Sequence, residues 1–245
     1  MLGGPLGAMF GAAFGHNFDQ GMNRLGGGAF VGDIERIQTA FFTATFGTMG
    51  YIAKSDGQVS RNEIFVAEDV MRQMRLDARQ KQVAQRLFNE GKKPDFPFRD
   101  VLQQFRVECH RRRNLLQMFL EIQVAMALSD GTLDPGESRI LQEAADILGF
   151  SEAEYRGILE RMQAQRHVHS QQQAGMSLDD AYQLLGVDRH ASDQEVKKAY
   201  RRQMNQHHPD KLVSKGLPEE MMELANKKVQ DIRNAYDTVT ASRKS

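Results

Sequence analysis

The chain has 245 residues with 32 basic and 32 acidic side chains, so its formal charge is zero and nothing global points to nucleic acid. Its one cysteine, Cys109, excludes an intramolecular disulfide and a four-ligand zinc ribbon, and suits a reducing compartment. Proline is scarce, alternation is rare and helical periodicity is common, so the expected class is all-α, in one or two domains with real cores.

Residues 1–15 carry no charge and include Leu2, Leu6, Met9, Phe10 and Phe14. Gly3, Gly7, Gly11 and Gly15 recur every fourth residue. In an apolar helix that ladder is a continuous close-approach face, the small-xxx-small pattern of membrane dimers. In water so many glycines would melt a helix. The segment therefore reads as a dimerising membrane helix or as a flexible tail. Its rise of about 22 Å falls short of the roughly 30 Å hydrocarbon core. No basic n-region precedes it, so it is not an ordinary signal peptide. The expected organisation starts with a partial transmembrane anchor over 1–18 and a Gly-rich juxtamembrane linker over 19–32.

Residues 33–163 are expected to form a helical domain with an internal repeat at an offset of 74. Ala53-Lys-Ser-Asp-Gly-Gln-Val-Ser-Arg-Asn-Glu63 aligns with Ala127-Leu-Ser-Asp-Gly-Thr-Leu-Asp-Pro-Gly-Glu137. Each copy reads as an apolar helix, a Ser-Asp-Gly turn, a capping box and another helix. Ser60 caps with Glu63, and Asp134 caps with Pro135 at the first helical position and Glu137 at the third. Asp56 with Glu63, and Asp130 with Glu137, are also candidate oxygen ligands for a divalent cation. Neither copy has the density of an EF-hand loop, so turn plus capping box is the preferred reading. Arg111-Arg-Arg113 reads as a solvated run, with acidic headgroups or a protein partner as the sharper alternative. Cys109, in a helical stretch, reads as a buried structural thiol rather than a nucleophile.

Residues 164–176, with Gln165, Gln171, Gln172 and Gln173, read as a Gln-rich linker that contains His167 and His169. A domain over 177–245 follows. Ser177 with Asp180 caps a helix bearing Ala181, Tyr182 and Leu185, and Gly186 ends it. Ser192 with Glu195 caps the next. At about 100° per residue Val196, Ala199 and Tyr200 share one side, while Lys197, Lys198, Arg201 and Arg202 share the other. Pro209 stops this helix. A short polar loop comes next, and a third helix begins near Pro218 with an apolar stripe of Met222, Ala225, Val229, Ile232, Ala235, Tyr236 and Val239. Two long helices joined at His208-Pro209-Asp210 must pack antiparallel and hold that tripeptide at an exposed tip. His207-His208 lacks the further ligands a metal site needs.

Gly186-Val187, Lys198-Ala-Tyr200, His208-Pro-Asp210 and Asn234-Ala-Tyr236 together resemble the J-domain of the DnaJ family. That resemblance implies an activator of a DnaK-type ATPase and not an enzyme. The helix before the tripeptide would dock through Lys197, Lys198, Arg201, Arg202 and Lys211 on an acidic surface. Asp210 would meet a partner arginine, and His208 and Pro209 would hold the loop in shape. The duplicated unit resembles the TerB-like domain of tellurite-resistance proteins. An apolar Gly-rich start, a TerB-like domain and a C-terminal J-domain together resemble the DjlA family of membrane-anchored DnaJ-like proteins. Phe41-Phe-Thr-Ala-Thr-Phe46, Leu120-Glu-Ile-Gln123 and His208-Pro-Asp-Lys-Leu-Val213 are especially similar, although the apolar segment is several residues short at its start.

The family resemblance implies an inner-membrane protein that dimerises through its short span, with its bulk in the cytoplasm. It implies DnaK as partner, with GrpE in the cycle, no cofactor and no nucleic acid, and links to envelope signalling and capsule synthesis. The alternative is a metal- or stress-sensing TerB-type protein with an auxiliary J-domain. Catalysis by the chain itself has no support, because no phosphate loop, zinc-protease motif or nucleophile elbow is present.

Overall fold

Four helices begin where a capping side chain sits, at Asp77, Asp134, Ser177 and Ser192. The computed structural model describes residues 2–14, 29–55, 61–74, 76–129, 131–170 and 176–244. Among them every regular element is helical. The elements are α1 (Gly4–Phe14), α2 (Ala29–Ala53), α3 (Arg61–Gln73), α4 (Ala78–Gly91), α5 (Phe98–Glu108), α6 (Arg113–Ala127), α7 (Pro135–Leu148), α8 (Glu152–Ser170), α9 (Leu178–Leu185), α10 (Asp193–His207), α11 (Pro209–Val213) and α12 (Met222–Lys244), with a 3₁₀ turn at Glu219–Met221. Asp134 and Glu137 form the expected capping box of α7, and Ser192 and Glu195 that of α10. Ser177 accepts a hydrogen bond from the backbone of Asp180. Gly149 (φ 84°) and Gly186 (φ 68°) end α7 and α9 in the left-handed region that glycine enters without strain.

The repeat is real in helix boundaries. α2 and α6 end at Ala53 and Ala127, and α3 and α7 begin at Arg61 and Pro135, each pair 74 positions apart. Ser60 and Asp56 lie outside the described residues. α6 is buried over most of its circumference, from Leu115 to Val124, which makes it a core helix rather than a surface one. Around it Phe41, Phe105 and Phe119 pack edge-on or tilted, with ring centroids 4.8–6.3 Å apart. α2 meets α4 backbone to backbone. A Cβ on Gly91 would sit 1.9 Å from the carbonyl oxygen of Gly47, so only glycine permits that crossing.

α1 lies on this core. Leu6, Met9 and Ala13 are buried, and Gln104 accepts from the Leu6 amide at 2.9 Å. Arg86 donates to the Ala13 carbonyl at 3.0 Å, which satisfies an end the helix leaves open. Gly3 and Gly11 face open space, whereas a Cβ on Gly7 would meet the Leu2 carbonyl; Gly15 lies outside the described residues. Among the described residues no helix is long and apolar enough to cross a membrane.

One expected linker is largely helix. Residues 164–170, read as the start of a Gln-rich linker, continue α8, while 171–175 lie outside the described residues. The reason is tertiary. Met162 and Ala164 are buried, and Gln165, His167 and His169 each bond to α9 or α12.

The last unit has its own small core of Tyr182, Leu184, Leu185, Val196, Ile232, Ala235 and Val239, flanked by stacked Tyr200 and Tyr236 at 4.2 Å. Of the stripe expected on α12, Met222 is instead exposed. It follows the 3₁₀ turn, whose tighter winding takes it off the helical face.

Candidate docking site at the His-Pro-Asp turn

α10 presents the site. Its capping box fixes one end, and Arg243 of α12 ties that end down by bonding the Tyr182 hydroxyl at 2.8 Å, the Ala191 carbonyl at 2.7 Å and Asp193 at 2.6 Å. Val196 and Ala199 turn inward, so Lys197, Lys198, Arg201 and Arg202 all face solvent, as the 100° arithmetic requires.

The turn departs from the expected polar loop. His208 is extended (φ −60°, ψ 122°), as the residue before a proline must be, and serves as N-cap of α11. Pro209 occupies the first helical position, where its missing N–H costs nothing. Asp210 and Lys211 are exposed, and Lys211 bonds Asn205. The expectation of a wholly exposed tip is corrected. Pro209 is buried, and the Nδ1 of half-buried His208 is sealed from solvent with no partner among the described residues.

What covers the inner side of the turn is the preceding domain. Leu212, Leu217, Met221 and Ala225 belong to the same continuous core as α2 and α6. A Cβ on Gly216 (φ 101°) would lie 2.7 Å from Ile37 of α2. Asn114 of α6 donates to the Gln206 carbonyl at 3.0 Å, and Gln38 of α2 donates to the Leu217 carbonyl at 3.5 Å.

Beneath the turn sits an ion cluster. The Glu121 side chain on α6 is 4% exposed, that of His207 on α10 is 2% and that of Lys228 on α12 is 7%. The Glu121 oxygens lie 3.0 and 3.1 Å from His207 Nε2 and 3.4 Å from Lys228 Nζ. Gln117 donates to the same carboxylate at 2.9 Å. Burial alone would raise the Glu121 carboxyl, but His207 and Lys228 outweigh it and hold the group well below the usual carboxylate range. His207 Nδ1 faces the Gln203 carbonyl at 3.0 Å. Both ring nitrogens thus lie within hydrogen-bond distance of oxygen atoms. Lys228 also reaches Gln165 at 2.7 Å.

Two further histidines of α8 join the seam. His169 Nε2 lies 3.1 Å from Asp231 of α12, whose hydrogen bond raises the histidine above its ordinary value despite partial burial. His167 Nδ1 lies 3.0 Å from Asp180 of α9. These histidines were expected in a linker and are interdomain contacts instead.

No motif announced this cluster. The available signal was Glu121 itself, one carboxylate in the apolar run Leu115–Ala127, because a buried charge demands a partner elsewhere in the chain.

The other candidates fall away from the site. Asp130 lies outside the described residues, as does the side chain of Glu63. Glu137 accepts from the Asp134 amide at 3.0 Å and so serves its helix cap. Among the described residues no three metal-ligating side chains converge. Arg113 is tied to Gly149 and Glu154 and lies over the Phe150 ring. Cys109 is fully buried, and burial pushes its thiol far above its ordinary value.

Comparison with known proteins places these pieces. Residues 1–25 match the family model of the co-chaperone DjlA transmembrane domain, 42–160 that of tellurite resistance protein TerB, and 180–245 that of the DnaJ domain. The co-chaperone protein DjlA of Shewanella oneidensis is 47% identical over 94% of this chain and 88% of its own length. The chain belongs to the DjlA co-chaperone family. The DjlA proteins of Photobacterium profundum and Escherichia coli are 42% and 39% identical, each over 98% of this chain and 93% and 92% of their own lengths. No solved structure matches the chain. DjlA membership makes this chain a regulator built on a J-domain rather than a catalyst, and the match over 1–25 marks its N-terminus for membrane association.

Proposed function

We propose that this chain stimulates ATP hydrolysis by a DnaK-type chaperone at the cytoplasmic face of the inner membrane. GrpE completes the cycle, and the chain is a homodimer through its N-terminal glycines. The regulated outputs are envelope-stress signalling and capsule synthesis. The observation that carries the reading is the outward set of Lys197, Lys198, Arg201 and Arg202 beside exposed Asp210, on the two helices that meet at Pro209. Four cations on one helix face steer an acidic partner and set its orientation. Asp210 then meets an arginine of that partner, and hydrolysis occurs in the partner's own site.

Single-turnover ATP hydrolysis by DnaK tests this. His208→Gln and Asp210→Asn should each abolish stimulation while helicity stays unchanged. Undiminished stimulation by either variant overturns the reading.

A further inference from the structure

We propose that Glu121, in the TerB-like unit, is a positioning residue for the His-Pro-Asp turn, so that two domains act as one activator. The inference rests on the function proposed above and deepens it.

The turn is defined by the two helices that flank it, and Glu121 binds both. His207 is the last residue of α10 and directly precedes His208. Lys228 lies on α12, the helix antiparallel to α10. One carboxylate on a third helix therefore spans the two arms at the end where the turn is made. The J-domain's own core does not reach that end. Tyr182, Leu185, Ile232 and Val239 fill its far half, whereas Leu212, Leu217, Met221 and Ala225 pack into the core of α2 and α6. The turn packs between its own flanking helices, and the surface behind it belongs to the preceding domain.

The geometry leaves the partner's side open. Asp210, Lys211 and the four basic residues of α10 lie outside the seam, while Pro209, Leu212 and Gly216 lie inside it. The seam therefore supports the turn from behind. It is also nearly all-or-none. Removing one member of a buried ion set strands the others in a medium of low dielectric, so the docked arrangement is lost rather than weakened. A turn freed in this way samples other shapes, and only the fraction in the docking shape activates.

The test uses the full chain in phospholipid vesicles, with single-turnover DnaK hydrolysis measured against chain concentration. Glu121→Gln should lower the plateau rate about tenfold, because the basic face still docks the chain while only a minority of docked turns holds the activating shape. The half-saturating concentration should move less than about twofold, because the basic face is untouched. Amide protection over 212–217 should fall while α9 keeps its protection. A merely structural role would lower the melting temperature and leave the plateau of folded protein unchanged, and that result overturns the proposal. Should Glu121→Gln fail to fold, Asn114→Ala removes a milder contact of the same seam. It should lower the plateau about threefold, and an unchanged plateau in that variant overturns the proposal equally. His208→Gln runs alongside. If it stimulates as well as wild type, the J-domain reading fails. If it is inactive while Glu121→Gln is fully active, only the positioning role fails.

Discussion

At the scale of single residues, charge and burial give different outcomes at three groups. Glu121 is held below the carboxylate range by two cations, so its contribution to stability is present above its unfolded value near 4.5. That contribution disappears as pH falls through the folded value. We expect acid to unseat the J-domain only as pH falls below 4.5 toward the folded value, and the Glu121→Gln variant to lose less stability than wild type over that limb. Urea melts at several pH values measure this, and parallel acid limbs would refute it. His169 has the opposite sign. Raised by Asp231, it stabilises fully below its unfolded value of 6.5, and the benefit is lost as pH rises through the folded value. Because the His169 side chain is half exposed, solvent screens the pair and the effect is small. Cys109 completes the set. With its thiol sealed in the core and kept protonated, native protein should resist thiol reagents near pH 8 and react at the rate of unfolding. Fast labelling of folded protein would contradict the burial.

At the scale of elements, the sequence was legible where caps and stripes are local. Ser192, Glu195, Gly186 and Asp134 marked helix ends within a residue or so, because a cap needs only its own turn. The basic and apolar faces of α10 were legible for the same reason. The C-terminal turns of α8 were not. Gln165, His167 and His169 look like linker chemistry until α9 and α12 supply Asp180 and Asp231, and nothing local encodes those partners. α11 was likewise missed, since Pro209 read only as a stop and not also as a start. The face of α10 carries its own prediction. Lys197→Glu with Arg201→Glu should cut DnaK binding by about tenfold or more, mainly in association rate. Wild-type binding should weaken as salt shortens screening below about 8 Å. Surface plasmon resonance at two ionic strengths decides it, and salt-independent binding would mean that docking is not electrostatic.

At the scale of the whole molecule, the domain sequence was readable but the union of domains was not. Repeat, J-domain and apolar start each have a signature, whereas the seam is written in scattered singletons such as Asn114, Glu121 and Lys228. The N-terminal segment poses the remaining question of scale. As α1 it spends Leu6, Met9 and Ala13 on the protein core, and its eleven residues rise only about 16 Å against a hydrocarbon core of about 30 Å. Packing on α2, α4 and α5 and spanning a bilayer compete for the same three side chains. The glycine face is compatible with either state, because Gly3 and Gly11 point away from the core. Those two positions give the clean test of dimerisation. A side chain at Gly7 would strike the Leu2 carbonyl within its own segment, and its effect would be ambiguous. Gly3→Leu with Gly11→Leu should abolish association in membranes while partition persists or improves, since leucine matches the lipid tails and only close backbone approach is lost. Leucine also raises helix propensity, which removes melting of the helix as an explanation. The measurement is a reporter of transmembrane association on the chain with its apolar segment extended to about 20 residues, enough to span. Full association of the double-leucine variant would exclude the glycines as the interface and assign self-association to the folded domains.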